Sequence, residues 1–430
     1  MNTSLQPVKK VVIAAFILAA VLLYPFLLLF SALNPDPAVP LRNSAYSNMD
    51  KSGLSITVSA ADPGIQVLAA DTENTLIVRI QVRSADGAPV HGAEVGLEAI
   101  ADSIAPDIAK ADVAGSITGP VGNNGLFTGN NGLNEAGATA TSGPESAGTF
   151  HPAEGITDAS GSFIAEYVPP SCINSMNKVI LNAYLSGSDK AASIPIKLIP
   201  VPVVLIHGYQ ASPQIFSGVS AYLKAQGFNP LGFSYASGEG VISSAAQLSD
   251  YLDKIKTDLA SDGIQVKRFD LISHSMGGLV ARYYTCSSGY SPKGNVRKLI
   301  FVSVPQRGSP FASIGLKYYD DQGMRDLLTD STLYTEIFAS MTNGGLNPSI
   351  QTGSIMGRYD EVVGSESASL AEWNIQTELF DVGDSNFTID KLLSGEILQA
   401  ANHKLVLYNK KVYQRLVQML TTDIPYPTLK

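Results

Sequence analysis

Residues 268 to 283 constrain this chain more than any other stretch. The apolar run Arg268-Phe269-Asp270-Leu271-Ile272 leads into Ser273-His274-Ser275-Met276-Gly277-Gly278, and Leu279, Val280, Ala281 and Tyr283 continue at helical spacing. A buried strand passing through a tight turn of small residues into a helix is a junction of α/β sheets, and a serine at its apex is pushed above the sheet as a nucleophile elbow. The flanking residues must be small because strand and helix backbones touch there. Ser273 stands where a glycine is more usual, a small-for-small exchange. The competing reading is a Gly-rich helix start with an incidental serine, and the strand before and helix after it favour the elbow.

The surroundings repeat this grammar. Residues 203–206 form an apolar run fit for a buried parallel strand. Ile215, Phe216, Val219, Tyr222 and Leu223 then recur at helical spacing behind Ser212-Pro213, until Gly227 stops the helix. A second helix carries Ala245, Leu248, Leu252, Ile255 and Leu259, and residues 269–272 and 299–302 read as further buried strands. Strands alternating with helices predict a mainly parallel, doubly wound sheet over residues 200–430.

Upstream the period is two. Leu76, Val78, Ile80 and Val82 alternate with Thr75, Ile77, Arg79, Gln81 and Arg83, and Asp86-Gly87 supplies a turn. Further short strands are expected at residues 54–58, 93–99, 162–168, 179–185 and 193–199, so residues 51–199 predict an all-β sandwich. Residues 101–149 are rich in Gly, Asn, Ala, Ser and Thr and read as an insertion without regular structure.

Residues 11–30 are uncharged and almost wholly apolar, long enough as a helix to cross a bilayer. Lys9 and Lys10 precede them and no basic residue follows until Arg42, so the positive-inside rule leaves the tip in the cytoplasm and exports the rest. The organisation expected is a transmembrane signal anchor at 1–31, a Pro-containing linker at 32–50, the sandwich and the α/β domain, with the folded parts facing the periplasm or exterior of a bacterial cytoplasmic membrane. A cleaved signal peptide is the alternative, disfavoured by the length of the run and by the poor site Phe30-Ser31-Ala32.

The net charge of −9, with no long Lys/Arg run, argues against a nucleic-acid partner. Two cysteines, Cys172 and Cys286, are too few for a disulfide scaffold or a four-thiolate metal site, and an interdomain disulfide and two free thiols both stay open.

A serine nucleophile needs an oxyanion site, a base and an acid. His207-Gly208-Tyr209 directly after the first parallel strand places the Tyr209 N–H to pair with the Met276 N–H, the latter at a helix N-terminus. Of the histidines His91, His151, His207, His274 and His403, only His403 lies downstream of Ser275, as the order nucleophile, acid, base requires. His207 reads as structural and His274 as packing near the site. For the acid, Asp360 follows the strand end Ser354-Ile355-Met356-Gly357, with Glu361 as the adjacent alternative.

Residues 201–311 resemble bacterial triacylglycerol-lipase-like and lecithin-cholesterol-acyltransferase-like members of the α/β-hydrolase superfamily. The resemblance rests on Val203-Val204-Leu205-Ile206-His207-Gly208, the elbow, and Val304-Pro305-Gln306-Arg307-Gly308-Ser309-Pro310. It implies the α/β-hydrolase fold and hydrolysis of a carboxylic, lipid or acyl ester through Ser275, Asp360 and His403, with an acyl-enzyme intermediate and no cofactor. Arg358-Tyr359-Asp360-Glu361-Val362-Val363 is similar to the family's acid stretch, and His403 in Ala401-Asn402-His403-Lys404 to the position of its histidine. A structural calcium occurs in some such lipases; Asp381, Asp384 and Asp390 offer ligands but match no strong calcium loop. Residues 308–349 are expected to form either a lid over the acyl pocket or two amphipathic helices packed on the sheet.

The sandwich resembles immunoglobulin-like domains of the bacterial invasin and intimin type, through Asp86-Gly87-Ala88-Pro89-Val90, Gly148-Thr149-Phe150 and Thr157-Asp158-Ala159-Ser160-Gly161. Two other functions stay open: an acyltransferase using the same triad, and a surface binding or adhesion protein whose hydrolase domain is inactive.

Overall fold

The structure is a computed structural model that describes residues 46, 49–102, 147–175, 177–290, 293–383 and 402–429. The apolar run at 11–30 and most of the Gly/Asn-rich insertion lie outside these residues. Among the described residues no helix is long and apolar enough to cross a membrane.

The period-two segments form two packed sheets. One orders β1 (Ser55–Ala60), β3 (Leu76–Arg83), β7 (Ser162–Val168) and β5 (Thr149–His151), all antiparallel. The other orders β12 (Ile264–Gln265), β2 (Val67–Ala69), β9 (Ala191–Ile199), β8 (Asn177–Leu185), β4 (Glu94–Asp102) and β6 (Glu154–Ile156). Alternation puts Val78, Ile80 and Val82 of β3 into one core with Tyr167, Leu181 and Leu198. Strand β4 runs on through Ala101 and Asp102, and β5 begins at Thr149, so both ends of the expected insertion belong to the sheets. Tyr46, expected in the linker, is 2% exposed within the same core.

Beyond residue 200 a six-stranded parallel sheet orders β11 (Pro230–Phe233), β10 (Val203–Ile206), β13 (Phe269–His274), β14 (Val296–Val302), β15 (Gln351–Gly357) and β16 (Thr377–Phe380). Strands β10, β13, β14 and β15 are buried along their whole length, as a parallel sheet covered on both faces requires. Helices α1 (Ser217–Ala225), α2 (Val241–Ser261), α3 (Met276–Cys286) and α4 (Lys410–Thr421) supply much of the cover. Strand order reverses between β10 and β13, whose neighbours lie on opposite sides, and at such a switch point the crevice beyond the C-terminal strand ends takes ligands.

The two parts share a sheet. Strand β12, between α2 and β13, pairs in parallel with β2 of the sandwich. Gln265 donates through Nε2 to Asn74 Oδ1 at 3.1 Å and Thr75 O at 2.8 Å, and Arg268 Nε donates to Asp71 Oδ2 at 2.8 Å. Arg297, buried against Asp270 at 2.9 and 2.5 Å, also reaches Ala70 O at 3.3 Å. A two-residue strand is too short to show a period, so a boundary drawn at residue 200 misses it.

Over residues 308–349 the chain forms short helical segments, including Phe311–Gly315, Gln322–Asp326 and Leu333–Phe338. Both cysteines are free, and Cys172 donates through Sγ to Thr421 O at 2.9 Å.

Candidate active site

Ser275 sits between β13 and α3 with φ 55° and ψ −132°, in the positive-φ half of backbone space that a serine rarely occupies. The strain is held from several sides. The Ser275 N–H donates to Val302 O at 3.1 Å, and its carbonyl accepts from Gly278 N at 2.9 Å. A Cβ on Gly277 would fall 2.4 Å from His207 O, and one on Gly278 would fall 2.2 Å from Val304 Cγ2, so neither position admits a side chain. The strand, the small flanks and the helix are where the sequence puts them.

After β10 the chain turns through His207-Gly208-Tyr209. A Cβ on Gly208 would lie 2.7 Å from Ser275 Cβ and 3.3 Å from its Oγ, so this loop lies against the serine. Tyr209 and Met276 therefore flank Ser275 from two different strand ends. His207 is fully buried. Its Nδ1–H donates to Gly208 O at 2.8 Å, its ring stacks on Tyr235 at 4.4 Å, and burial depresses its pKa.

His403 is 7% exposed in the short helix Asn402–Leu405, and its Nδ1–H donates to Asp360 at 3.0 Å (Oδ1) and 2.9 Å (Oδ2). Asp360 follows β15, and its Oδ1 also accepts the N–H groups of Val362 at 3.0 Å and Val363 at 2.9 Å. Burial pushes its carboxyl up, but the His403 imidazole and these donors outweigh it and hold the carboxyl below its ordinary range. His403 Nε2 is buried and has no hydrogen-bond partner among the described residues. With Nδ1 protonated toward Asp360, that nitrogen carries the lone pair a base uses.

Glu361 does not share this arrangement. Both its carboxylate oxygens are buried and meet no well-formed hydrogen bond among the described residues, and burial above all raises its pKa, with nearby backbone N–H groups offsetting part of the rise.

His274 carries a role the sequence did not reveal. It is 2% exposed, its Nε2–H donates to the carbonyl of His403 at 3.1 Å, and the two rings lie 4.6 Å apart. The residue preceding the serine thus ties the elbow to the segment bearing His403. Burial, reinforced by His403, lowers its pKa to about 3, so it remains a neutral spacer.

Of the carboxylates considered for calcium, Asp384 and Asp390 fall outside the described residues, and Asp381 lies 3.6 Å from Arg358. Among the described residues no group of three His, Cys, Asp or Glu side chains could hold a metal ion.

The parallel sheet and its elbow define an α/β-hydrolase-like fold, and the family model described as "PGAP1-like alpha/beta domain" matches residues 231–331. Among solved structures the chain is similar to the Bacillus licheniformis lipase BlEst2, at 14% identity over 52% of this chain and 92% of that one, with a TM-score of 0.40. An esterase from Exiguobacterium antarcticum is similar at 17% identity over 58% of this chain and 98% of that one, with a TM-score of 0.34. The D0-D1 domain of intimin is similar at 12% identity over 35% of this chain and 50% of that one, with a TM-score of 0.21.

Proposed function

We propose that the protein is a serine hydrolase of carboxylic esters, most naturally lipid or acyl esters. Ser275 is the nucleophile, His403 the general base, and Asp360 the acid that orients the imidazole. His403 Nε2 takes the Ser275 proton as Oγ attacks the ester carbonyl, and the same proton passes to the departing alcohol. The N–H groups of Tyr209 and Met276 hold the oxyanion, and water activated by His403 then releases the acid from the acyl-enzyme. The chemistry asks for no cofactor.

One observation carries this reading: the His403–Asp360 pair, with Nε2 left free, is tied through His274 to a serine on a strained elbow. A serine on a strained elbow tied to a buried His–Asp pair is the arrangement a nucleophile and its general base need. Labelling by a fluorophosphonate tests it. Wild type should label and Ser275→Ala should not, with ester turnover falling at least about 10³-fold; labelling retained in Ser275→Ala refutes the assignment.

An acyltransferase would use the same groups, with an alcohol instead of water resolving the acyl-enzyme. Product analysis with added alcohols separates the two. For a purely adhesive protein the intact pair beside Ser275 has no role, and the labelling experiment distinguishes that reading as well. The apolar run at residues 11–30 behind Lys9 and Lys10 supports a single-pass anchor that holds both domains outside the cytoplasm.

A further inference from the structure

The Tyr209 side chain leaves the site and meets a segment more than a hundred residues away. Its phenol donates to Asp321 Oδ2 at 2.6 Å, and its ring packs edge-on against Tyr319 at 5.9 Å. The other oxygen of Asp321 is also engaged, capping the helix Gln322–Asp326 by accepting Met324 N at 2.9 Å. At the far end of that helix, Asp326 Oδ2 accepts the Val241 N–H at the start of α2 at 2.7 Å, and its Oδ1 accepts from Gln322 Nε2 at 2.6 Å. The segment is therefore pinned at both ends.

It is also pressed against the loop it holds. A Cβ on Gly323 would lie 2.1 Å from Ser237 O and 3.0 Å from Tyr209 Cε2, and one on Gly238 would lie 3.0 Å from Asp321 Oδ2. Ser237 Oγ in turn accepts the N–H of Gln210 at 2.9 Å, and Gln210 has φ 48°. A left-handed glutamine next to Tyr209 is a conformation that isolated peptide avoids, so neighbouring contacts must maintain it. Ser237 bonds the Gln210 N–H directly, and Asp321 holds the side chain of the residue before it.

We propose that Asp321 is a positioning residue for the oxyanion site: by holding the Tyr209 phenol, it fixes the main chain whose N–H stabilises the tetrahedral intermediate. The inference rests on the assignment of Ser275, His403 and the Tyr209 N–H made above. Such an effect belongs to the transition state, because a donor displaced by a fraction of an ångström still admits the ground-state ester but serves the oxyanion poorly. Burial first, and then the Asp321 acceptor, push the phenol up to about 12, so it stays a donor wherever the enzyme works.

Tyr209→Phe removes one oxygen and leaves the N–H in place. Full loss of an oxyanion donor costs about 10²–10³-fold, so its misplacement should lower kcat by about 10-fold or more, with KM within about threefold. Affinity for an alkyl boronic acid, which mimics the tetrahedral intermediate, should weaken in parallel. Affinity for a non-hydrolysable ether analogue should not. Asp321→Ala should behave alike, and the double variant should be no worse than either single, since both remove one bond. A merely structural role would lower the thermal midpoint without this split between kcat and KM.

Retention of kcat and boronate affinity within about twofold in Tyr209→Phe, or multiplicative losses in the double variant, overturns the proposal. Ser275→Ala runs alongside. If it loses fluorophosphonate labelling while Tyr209→Phe is normal, only the positioning role fails; if it still labels, the hydrolase reading and this inference fall together.

Discussion

Asp360 presents both carboxylate oxygens to one nitrogen, His403 Nδ1, at 3.0 and 2.9 Å, across 43 residues of chain. The contact fixes the tautomer of the imidazole and leaves Nε2 bare on the other side of the ring. Asp360→Asn should therefore leave KM nearly unchanged and lower kcat by about 10³–10⁴-fold near neutral pH, because an amide can donate to Nδ1 and select the wrong tautomer. Glu361→Gln, whose carboxylate makes no such contact, should stay near wild type in the same assay. The reverse pattern would move the acid to Glu361.

Stability should respond to Glu361 with a defined sign. Its folded pKa lies above the ordinary value, so its contribution is fully present below the unfolded pKa and is lost as pH rises through the folded one. At pH 8 the buried carboxylate without partners is a cost. Glu361→Gln should then stabilise the protein at pH 8 by at most about 1 kcal/mol, since its partial exposure screens the charge, raising the melting midpoint by no more than ~2–4 °C, and should make no difference at pH 4. Asp360, with a depressed folded pKa, works oppositely: its contribution holds above the unfolded pKa and is lost as pH falls through the folded one. Melting curves of both variants across that range check the two signs.

Gly208 faces Ser275 so closely that an added methyl would lie 2.7 Å from Ser275 Cβ. Gly208→Ala should cut kcat/KM by about 10²-fold and also lower the melting midpoint, since the clash forces the loop and the serine apart. A near-normal rate would mean the loop is free to withdraw and is not held against the elbow.

The ion pair of Arg297 and Asp270 is fully buried where the two domains meet, with side chains 7% and 0% exposed. Arg297→Ala leaves the Asp270 charge without its partner and should cost about 3–5 kcal/mol. Replacing both residues by apolar ones of similar volume should cost less. Because β12 belongs to the sandwich sheet, wild type should unfold in one transition by calorimetry. Two separate transitions would show instead that the sandwich and the α/β part are independent.

If residues 11–30 anchor the chain, the full-length protein should stay with membranes through alkaline carbonate washing, and protease added outside the cytoplasm should reach the folded domains. A soluble mature form beginning just past that run would establish a cleaved signal instead.

Local pattern sufficed wherever a period or a tight turn carries the information. Alternation at residues 76–83 and the apolar runs at 203–206 and 269–272 lie on strands, because side-chain period and burial are local consequences of strand geometry. Ser275 was legible for the same reason: strand, small residues and helix must be contiguous for the elbow to form. Asp360 and His403 were reached through chain order and resemblance, but their pairing, and its preference over Glu361, depended on how β15 and the segment at 402–405 approach each other in space.

Other features left no local trace. A single β12 pair joins the sheets, the carboxylate of Asp321 meets a phenol 112 residues away, and His274 supports the carbonyl of His403 129 residues on. Each is a polar contact between side chain or backbone groups that any polar residue in a turn carries in the same form. The sequence by itself determined the parallel sheet and the strand-turn-helix junction at Ser275, because contiguous residues build them. Only the tertiary structure decided which carboxylate meets His403, what holds the Tyr209 loop and how the two parts share a sheet, because those depend on which distant backbones packing brings together.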